Sequence, residues 1–155
     1  MAVAPIPPGY STVTPYLITR GAAKAIDFYK KAFGAVELFR LDGPDGKIAH
    51  AEIKIGNAPV MLAEGMSDYP DPLTLGGTAV SFMVYVPDVD AAFARAVAAG
   101  ATVKRPVANQ FYGDRTGTLA DPFGHVWSLG THVEDVAPEE MERRMKEMMK
   151  PAATA

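Results

Sequence analysis

AAKAIDFYKKAFG, residues 22–34, reads as a helix with its own stop signal. Ile26, Tyr29 and Phe33 fall at i, i+3 and i+7, flanked by Ala25 and Phe28, while Lys24, Lys30 and Lys31 lie outside that stripe. Gly34 stands where a C′ glycine ends a helix. Upstream, Ser11–Thr19 (STVTPYLIT) is rich in β-branched and aromatic residues and reads as a strand. Downstream, Ala35–Leu41 reads as a strand and Gly43–Gly46 as a turn. Ile48–Ile55 alternates as a half-buried strand does, and Gly56-Asn57 turns the chain into a last strand, Pro59–Glu64. The order is βαβββ.

The same order returns. Thr78–Val86 reads as a strand and Val89–Ala99 as a helix stopped by Gly100. Ala101–Val107 is a strand, and Arg115–Ala120 with Val126–Thr131 form a hairpin around Asp121-Pro122-Phe123-Gly124. Gly34 and Gly100 lie 66 positions apart, and Phe28 and Phe93 lie 65 apart. Near-constant offsets across a strand, a helix and a turn indicate an internal duplication with a period of about 50 to 65 residues. The expected domain runs over residues 11–137, as modules 11–64 and 78–133 joined by a Pro/Gly-rich linker, 65–77. A linker of that length either covers a pocket or simply connects. Residues 138–150 read as a C-terminal helix whose Met141, Met145 and Met148 form a packing seam. The Ala/Pro-rich ends, residues 1–10 and 151–155, are expected to be disordered.

Composition narrows the function. The chain has 155 residues, 48% hydrophobic and 21% charged, with formal net charge −3. That supports an ordinary single-domain core and gives no electrostatic footprint for nucleic acid. The absence of cysteine excludes disulfides, thiolate metal sites and a cysteine nucleophile. No apolar run is long enough for a membrane span and no secretory signal is evident, so a cytoplasmic protein is expected. There is no Gly-rich phosphate loop and no GxSxG elbow.

The repeat resembles the vicinal oxygen chelate superfamily, the glyoxalase, bleomycin resistance and dioxygenase fold. Ala25–Gly34 (AIDFYKKAFG) is similar to its first-helix signature, and Asp121–His125 (DPFGH) to its "DPxGh" hairpin. Tyr112-Gly113-Asp114-Arg115, DPFGHVWSL and Thr131–Asp135 (THVED) resemble the PhnB-like branch. The resemblance spans Ser11 to Met145. It implies an α+β fold of two βαβββ modules whose sheets curve into a cup, a concave binding site, and homodimers. It also implies a divalent metal held by two residues from each module, which polarises vicinal substrate oxygens.

The ligand positions implied by that resemblance fall near Thr14, Glu64, Ser81 and Ser128, one carboxylate and three hydroxyls. Such a set does not hold a divalent metal tightly. No metal cofactor is therefore favoured. The alternative is a displaced site of His50, Glu52 and Glu64, serving a lyase, isomerase or dioxygenase. His50, Glu52 and Lys54 share the polar face of their strand. Alternation puts Thr116, Thr118 and Ser128 on one face of the hairpin, expected to line the cup, and Trp127 and His125 on the other. Tyr112 stands at the rim of that pocket, and Arg115 is either an anion ligand or half of a structural ion pair. His132 is placed past the last strand. The expected function is binding of a small molecule in the cup.

Overall fold

A computed structural model describes residues 3–150. The first module comprises β1 (Tyr16–Thr19), α1 (Ala22–Phe33), β2 (Val36–Asp42), β3 (Ile48–Ile55) and β4 (Ala58–Glu64). A short helix, α2 (Pro72–Leu75), interrupts the linker. The second module comprises β5 (Ser81–Tyr85), α3 (Val89–Ala99), β6 (Thr102–Asn109), β7 (Asp114–Ala120) and β8 (Val126–His132), and α4 (Pro138–Met148) follows. The strand orders are β1-β4-β3-β2 and β5-β8-β7-β6, each with its first strand parallel to its last. This is an α+β fold of two βαβββ modules with an added C-terminal helix.

Both helices stop at left-handed glycines, Gly34 (φ 66°) and Gly100 (φ 118°), where the periodicity places them. The first strands of the two modules are shorter than expected. Before β1, the Ser11 and Thr14 hydroxyls donate to the carbonyls of Val13 and Ser11, which curls the chain and keeps Thr14 out of the sheet. Before β5, the Thr78 hydroxyl donates to the Val80 carbonyl and accepts from the Val80 N–H. Conversely, β8 runs on through His132, which pairs with Asp114 across the hairpin rather than lying beyond the sheet. Residues 3–10 form neither helix nor strand, and the Tyr10 hydroxyl is tied to the Glu52 carboxylate. Residues 1, 2 and 151–155 lie outside the described residues.

Each sheet buries one face. Ala51, Ile53, Leu62 and Leu17 on the first and Leu119, Trp127 and Leu129 on the second are at most 2% exposed. They share one core with α1 and α3. Trp127 faces the helices, as alternation requires, with ring centroids 4.8 Å from Phe33, 5.4 Å from Tyr29 and 4.7 Å from Phe82.

The DPFGH turn joins the modules. Asp121 is buried, and its Oδ1 accepts from the backbone N–H of Phe123 and His125, both at 2.9 Å. Its Oδ2 accepts from the Tyr29 hydroxyl at 2.7 Å and from Trp127 Nε1 at 2.9 Å. His125 Nε2 lies 3.0 Å from the Ile18 carbonyl, which only accepts, so that nitrogen carries the proton. Burial, reinforced by Asp121, pushes the Tyr29 phenol well above its ordinary range.

Trp127→Ala is expected to cost about 3–5 kcal/mol, because it empties a packed aromatic site. Tyr29→Phe, which removes one hydrogen bond to a charged acceptor, is expected to cost about 1.5–3 kcal/mol. Urea denaturation of the two variants checks both the size and the order of these losses.

Candidate functional site

The helix-free faces of the two sheets are open, and each carries its own cavity. On the first sheet a cavity of about 600 Å³ is walled by Tyr16, Ile18, Ile48, Ala63, Met66 and Tyr69, with Lys47 and Glu64 among its polar groups. On the second a hollow of about 180 Å³ is lined by Met83, Arg105, Gln110, Tyr112, Thr116, Thr118 and Ser128. The two share no lining residue. These two cavities are separate within one chain because the sheets turn their buried faces to a common core, and a third, of about 390 Å³, lies between Tyr16 and Ile18 on one side and Pro72, Leu75, Phe82 and His125 on the other.

Four of the expected pocket residues, Tyr112, Thr116, Thr118 and Ser128, do line the hollow of the second sheet. Thr118 and Ser128 are directly opposite in the hairpin, with hydroxyls 3.0 Å apart. Ser81 lies on the same strand face as Met83, which pairs with Ser128, but it is outside the lining. Thr14 lines neither cavity.

Arg115 departs from the expected pocket. Alternation along β7 turns it away from Thr116, and its guanidinium holds both oxygens of Asp90 on α3, at 2.8 and 2.7 Å, and the Asn109 side chain. It pins helix to sheet, and the pair holds the Asp90 carboxyl below its ordinary range.

Glu64 lines the cavity of the first sheet but its carboxylate is engaged. Its two oxygens accept the backbone N–H groups of Gly21 and Ala22, each at 2.8 Å. Gly21 has no side chain with which to cap α1, so Glu64 supplies the cap from the end of β4 and faces the positive end of the helix.

His50 and Glu52 form a different array. Tyr16 Oη lies 2.9 Å from His50 Nδ1, and His50 Nε2 lies 3.2 Å from Glu52 Oε1. The Tyr10 hydroxyl donates to the other Glu52 oxygen. The hydrogen bonds from Tyr10 and His50 lower the Glu52 carboxyl below its ordinary range, and the bond to Glu52 pushes the Tyr10 phenol up to about 12. Burial, then the nearby Tyr69, raises the Tyr16 phenol.

These contacts test the metal that the fold family implies. Thr14, Ser81 and Ser128 are weak neutral donors on separate segments, and both Glu64 oxygens are committed to the α1 N-terminus. The displaced set of His50, Glu52 and Glu64 fares no better, since His50 and Glu52 bond to each other and to tyrosines. Among the described residues no group of three or more His, Asp or Glu side chains is placed to hold a metal ion. The residues present do not fit the divalent metal of the family.

A second polar array, hidden in the sequence, sits on the open face of the second sheet. Asp114 is buried and accepts from the Tyr85 hydroxyl at 2.7 Å and from His132 Nδ1 at 2.7 Å, while His132 Nε2 bonds Asp135 at 2.9 Å. Burial opposes ionisation of Asp114, but the bonds from His132 and Tyr85 outweigh it and hold the carboxyl below its ordinary range. The same bond from Asp114, then that from Asp135, raises the His132 imidazole. Gly113 makes the turn possible: a Cβ there would stand 2.0 Å from the Glu134 carbonyl oxygen.

With this geometry in view, comparison with known proteins settles the family. The sequence profile of the Glyoxalase/Bleomycin resistance protein/Dioxygenase superfamily matches residues 11–129, and the chain belongs to that superfamily. It is 48% identical over 141 residues to the protein Rv0887c of Mycobacterium tuberculosis, covering 86% of this chain and 81% of that one. Among solved structures it is similar to TioX from Micromonospora sp. ML1, with 28% identity, a TM-score of 0.62, and coverage of 82% of this chain and all of that one. It also shares the fold of the PhnB protein from Bacillus cereus, at 19% identity and a TM-score of 0.61, covering 78% of this chain and 99% of that one. No helix among the described residues is long and apolar enough to cross a membrane.

The Asp114–His132 pair gives the fold a pH signature. The lowered carboxyl stabilises the folded state above about pH 4 and loses that contribution as pH falls through its folded value. The raised imidazole contributes fully below about pH 6.5 and less as pH rises through its folded value. The stability difference between wild type and His132→Gln is therefore expected to be largest near about pH 5–6 and to shrink toward about pH 9. Denaturant titrations across that range check it.

Proposed function

We propose that the chain binds a small, largely apolar molecule on the helix-free face of its first sheet, without the divalent metal used by many relatives. The observation that carries this reading is the cavity of about 600 Å³ walled by Tyr16, Ile18, Ile48, Ala63, Met66 and Tyr69. Its size lies in the range of small-molecule pockets, of order 300–1,000 Å³, and its apolar walls with a few polar groups are of the usual kind. The hollow at Thr116, Thr118 and Ser128 is too small within one chain to take a drug-sized ligand alone, and serves as a polar half-site. The donor chemistry described above supports the absence of a tight metal.

A fluorescent apolar anion, 8-anilinonaphthalene-1-sulfonate, is the direct probe. Saturable binding to the native protein is expected. Ala49→Phe, at an exposed wall of the cavity, should abolish it, and Thr118→Phe on the other sheet should leave it intact. Equal binding by wild type and Ala49→Phe overturns the assignment of the cavity. Elemental analysis of untagged protein dialysed against chelator is expected to find well below one equivalent of zinc, nickel, manganese or iron. A full equivalent overturns the metal-free reading.

We further propose a homodimer. Phe39, Leu41, Met83 and Tyr85 on the open faces are 41–62% exposed, a large apolar area for an isolated chain. Helix α4 buries none of its residues, leaves Met145 and Met148 exposed, and is held through Arg144 to Glu134 and the Phe111 carbonyl. Light scattering is expected to give twice the chain mass at micromolar concentration, and truncation after Val136 to weaken the assembly. A monomeric wild type overturns the proposal, and an unchanged truncated dimer removes α4 from the interface.

A further inference from the structure

The Tyr16, His50 and Glu52 side chains stand in a relation that binding alone does not require. Tyr10 donates to Glu52, whose carboxyl is held ionised, so Glu52 accepts only. In a neutral imidazole the ring nitrogen facing Glu52, Nε2, must then carry the proton. That leaves Nδ1 as an acceptor, 2.9 Å from Tyr16 Oη, and makes the Tyr16 hydroxyl the donor. A hydroxyl donates to a base, and the base is oriented by a carboxylate behind it. This is the geometric sign of an activated nucleophile.

The strands bring this about. Tyr16 on β1 and His50 on β3 flank β4 on the same sheet face, 34 positions apart in sequence. The His50 ring lies against Tyr16, with centroids 5.6 Å apart, and beside Phe39 at 6.3 Å, which limits its rotation. Tyr16 lines the large cavity, and His50 and Glu52 stand behind it, each about three-quarters buried at the side chain with exposures of 26% and 22%.

We propose that Tyr16, His50 and Glu52 form a base-activated hydroxyl that accepts the acyl group of a small, largely apolar aryl ester held in the cavity of the first sheet. The reading rests on that cavity being a ligand site. In the step, Tyr16 Oη bonds to the carbonyl carbon and its proton passes to His50 Nδ1. The bond from the carbonyl carbon to the leaving oxygen then breaks, and the proton on Nδ1 passes to that oxygen, releasing the phenol of the ester and leaving an acyl-tyrosine. Nothing is oxidised or reduced. Tyr16 and His50 are the catalytic residues. Glu52 and, behind it, Tyr10 are positioning residues that fix the tautomer and hold the imidazolium formed when the proton arrives. Lys47 at the same cavity supplies positive charge for a carboxylate on the ester.

The test uses 4-nitrophenyl acetate with the full chain. Wild type is expected to release a burst of about one 4-nitrophenolate per chain, with the acetyl group found by peptide mass on Tyr16 in preference to the exposed Tyr69. Tyr16→Phe should remove the burst. His50→Gln should slow it by about a hundredfold, in the range of a lost general base. Glu52→Gln should slow it less and, in 15N NMR of the imidazole, release His50 from the Nε2-protonated form expected of wild type. A structural role for Glu52 would not move that tautomer. Anilinonaphthalene sulfonate binding is measured on the same samples. If the dye binds but Tyr16 is acetylated no faster than Tyr69, or His50→Gln matches wild type, the acyl-transfer proposal falls and the ligand cavity stands. If the dye does not bind wild type, the cavity reading falls, while Tyr16 labelling still decides whether the hydroxyl is activated.

Discussion

A buried carboxylate organises this molecule. Asp121 receives four hydrogen bonds, from two backbone N–H groups of its own turn, from the Trp127 indole and from the Tyr29 phenol. Burying a carboxylate is costly unless each oxygen finds donors. Here the donors come from both halves of the chain. Tyr29 belongs to the helix of the first module, and Trp127 and the turn belong to the hairpin of the second. The two sequence signatures, Asp27-Phe28-Tyr29 and Asp121–His125, are thus one contact in space. His125 adds a second tie by donating to the Ile18 carbonyl.

That tie decides which faces remain free. Because α1 and α3 share one core with both sheets, the polar strand faces look outward from it. The two duplicated halves have diverged there. The first sheet pairs an apolar cavity with the Tyr16–His50–Glu52 array, whereas the second carries a small hydroxyl-lined hollow beside the Tyr85–Asp114–His132 array. Each array places a tyrosine, an imidazole and a carboxylate on an open sheet face. Their internal logic differs. In the second the buried carboxylate is the centre and takes both donors; in the first the imidazole is the centre, between a phenol and a carboxylate.

Two of the positions that the superfamily resemblance implies as metal ligands have structural partners in this chain. Glu64 caps α1 in place of a residue that Gly21 cannot provide, and Ser128 bonds Thr118 across the hairpin. A carboxylate that satisfies two orphan helix N–H groups is not free to complete a coordination sphere without uncapping the helix.

The sequence by itself determined the modules, the helix stops and the inward and outward faces, since these follow from local periodicity and from glycine's access to left-handed backbone. Trp127 is in the core, and Thr116, Thr118 and Ser128 share a face, because alternation along a hairpin is a local property. The same alternation turns Arg115, the neighbour of Thr116, away from that face, which its expected place in the pocket did not take into account. Tertiary structure alone decided the rest. The Tyr16–His50, Gly21–Glu64 and Asp114–His132 contacts join segments 18 to 43 positions apart, brought together by strand order and by the turn at Asp121. No periodicity carries such pairings, because they depend on which strands become neighbours and where each ends. The large cavity was unreadable for the same reason: its walls come from β1, β3, β4, a turn and the linker, and they meet only once the sheet has formed.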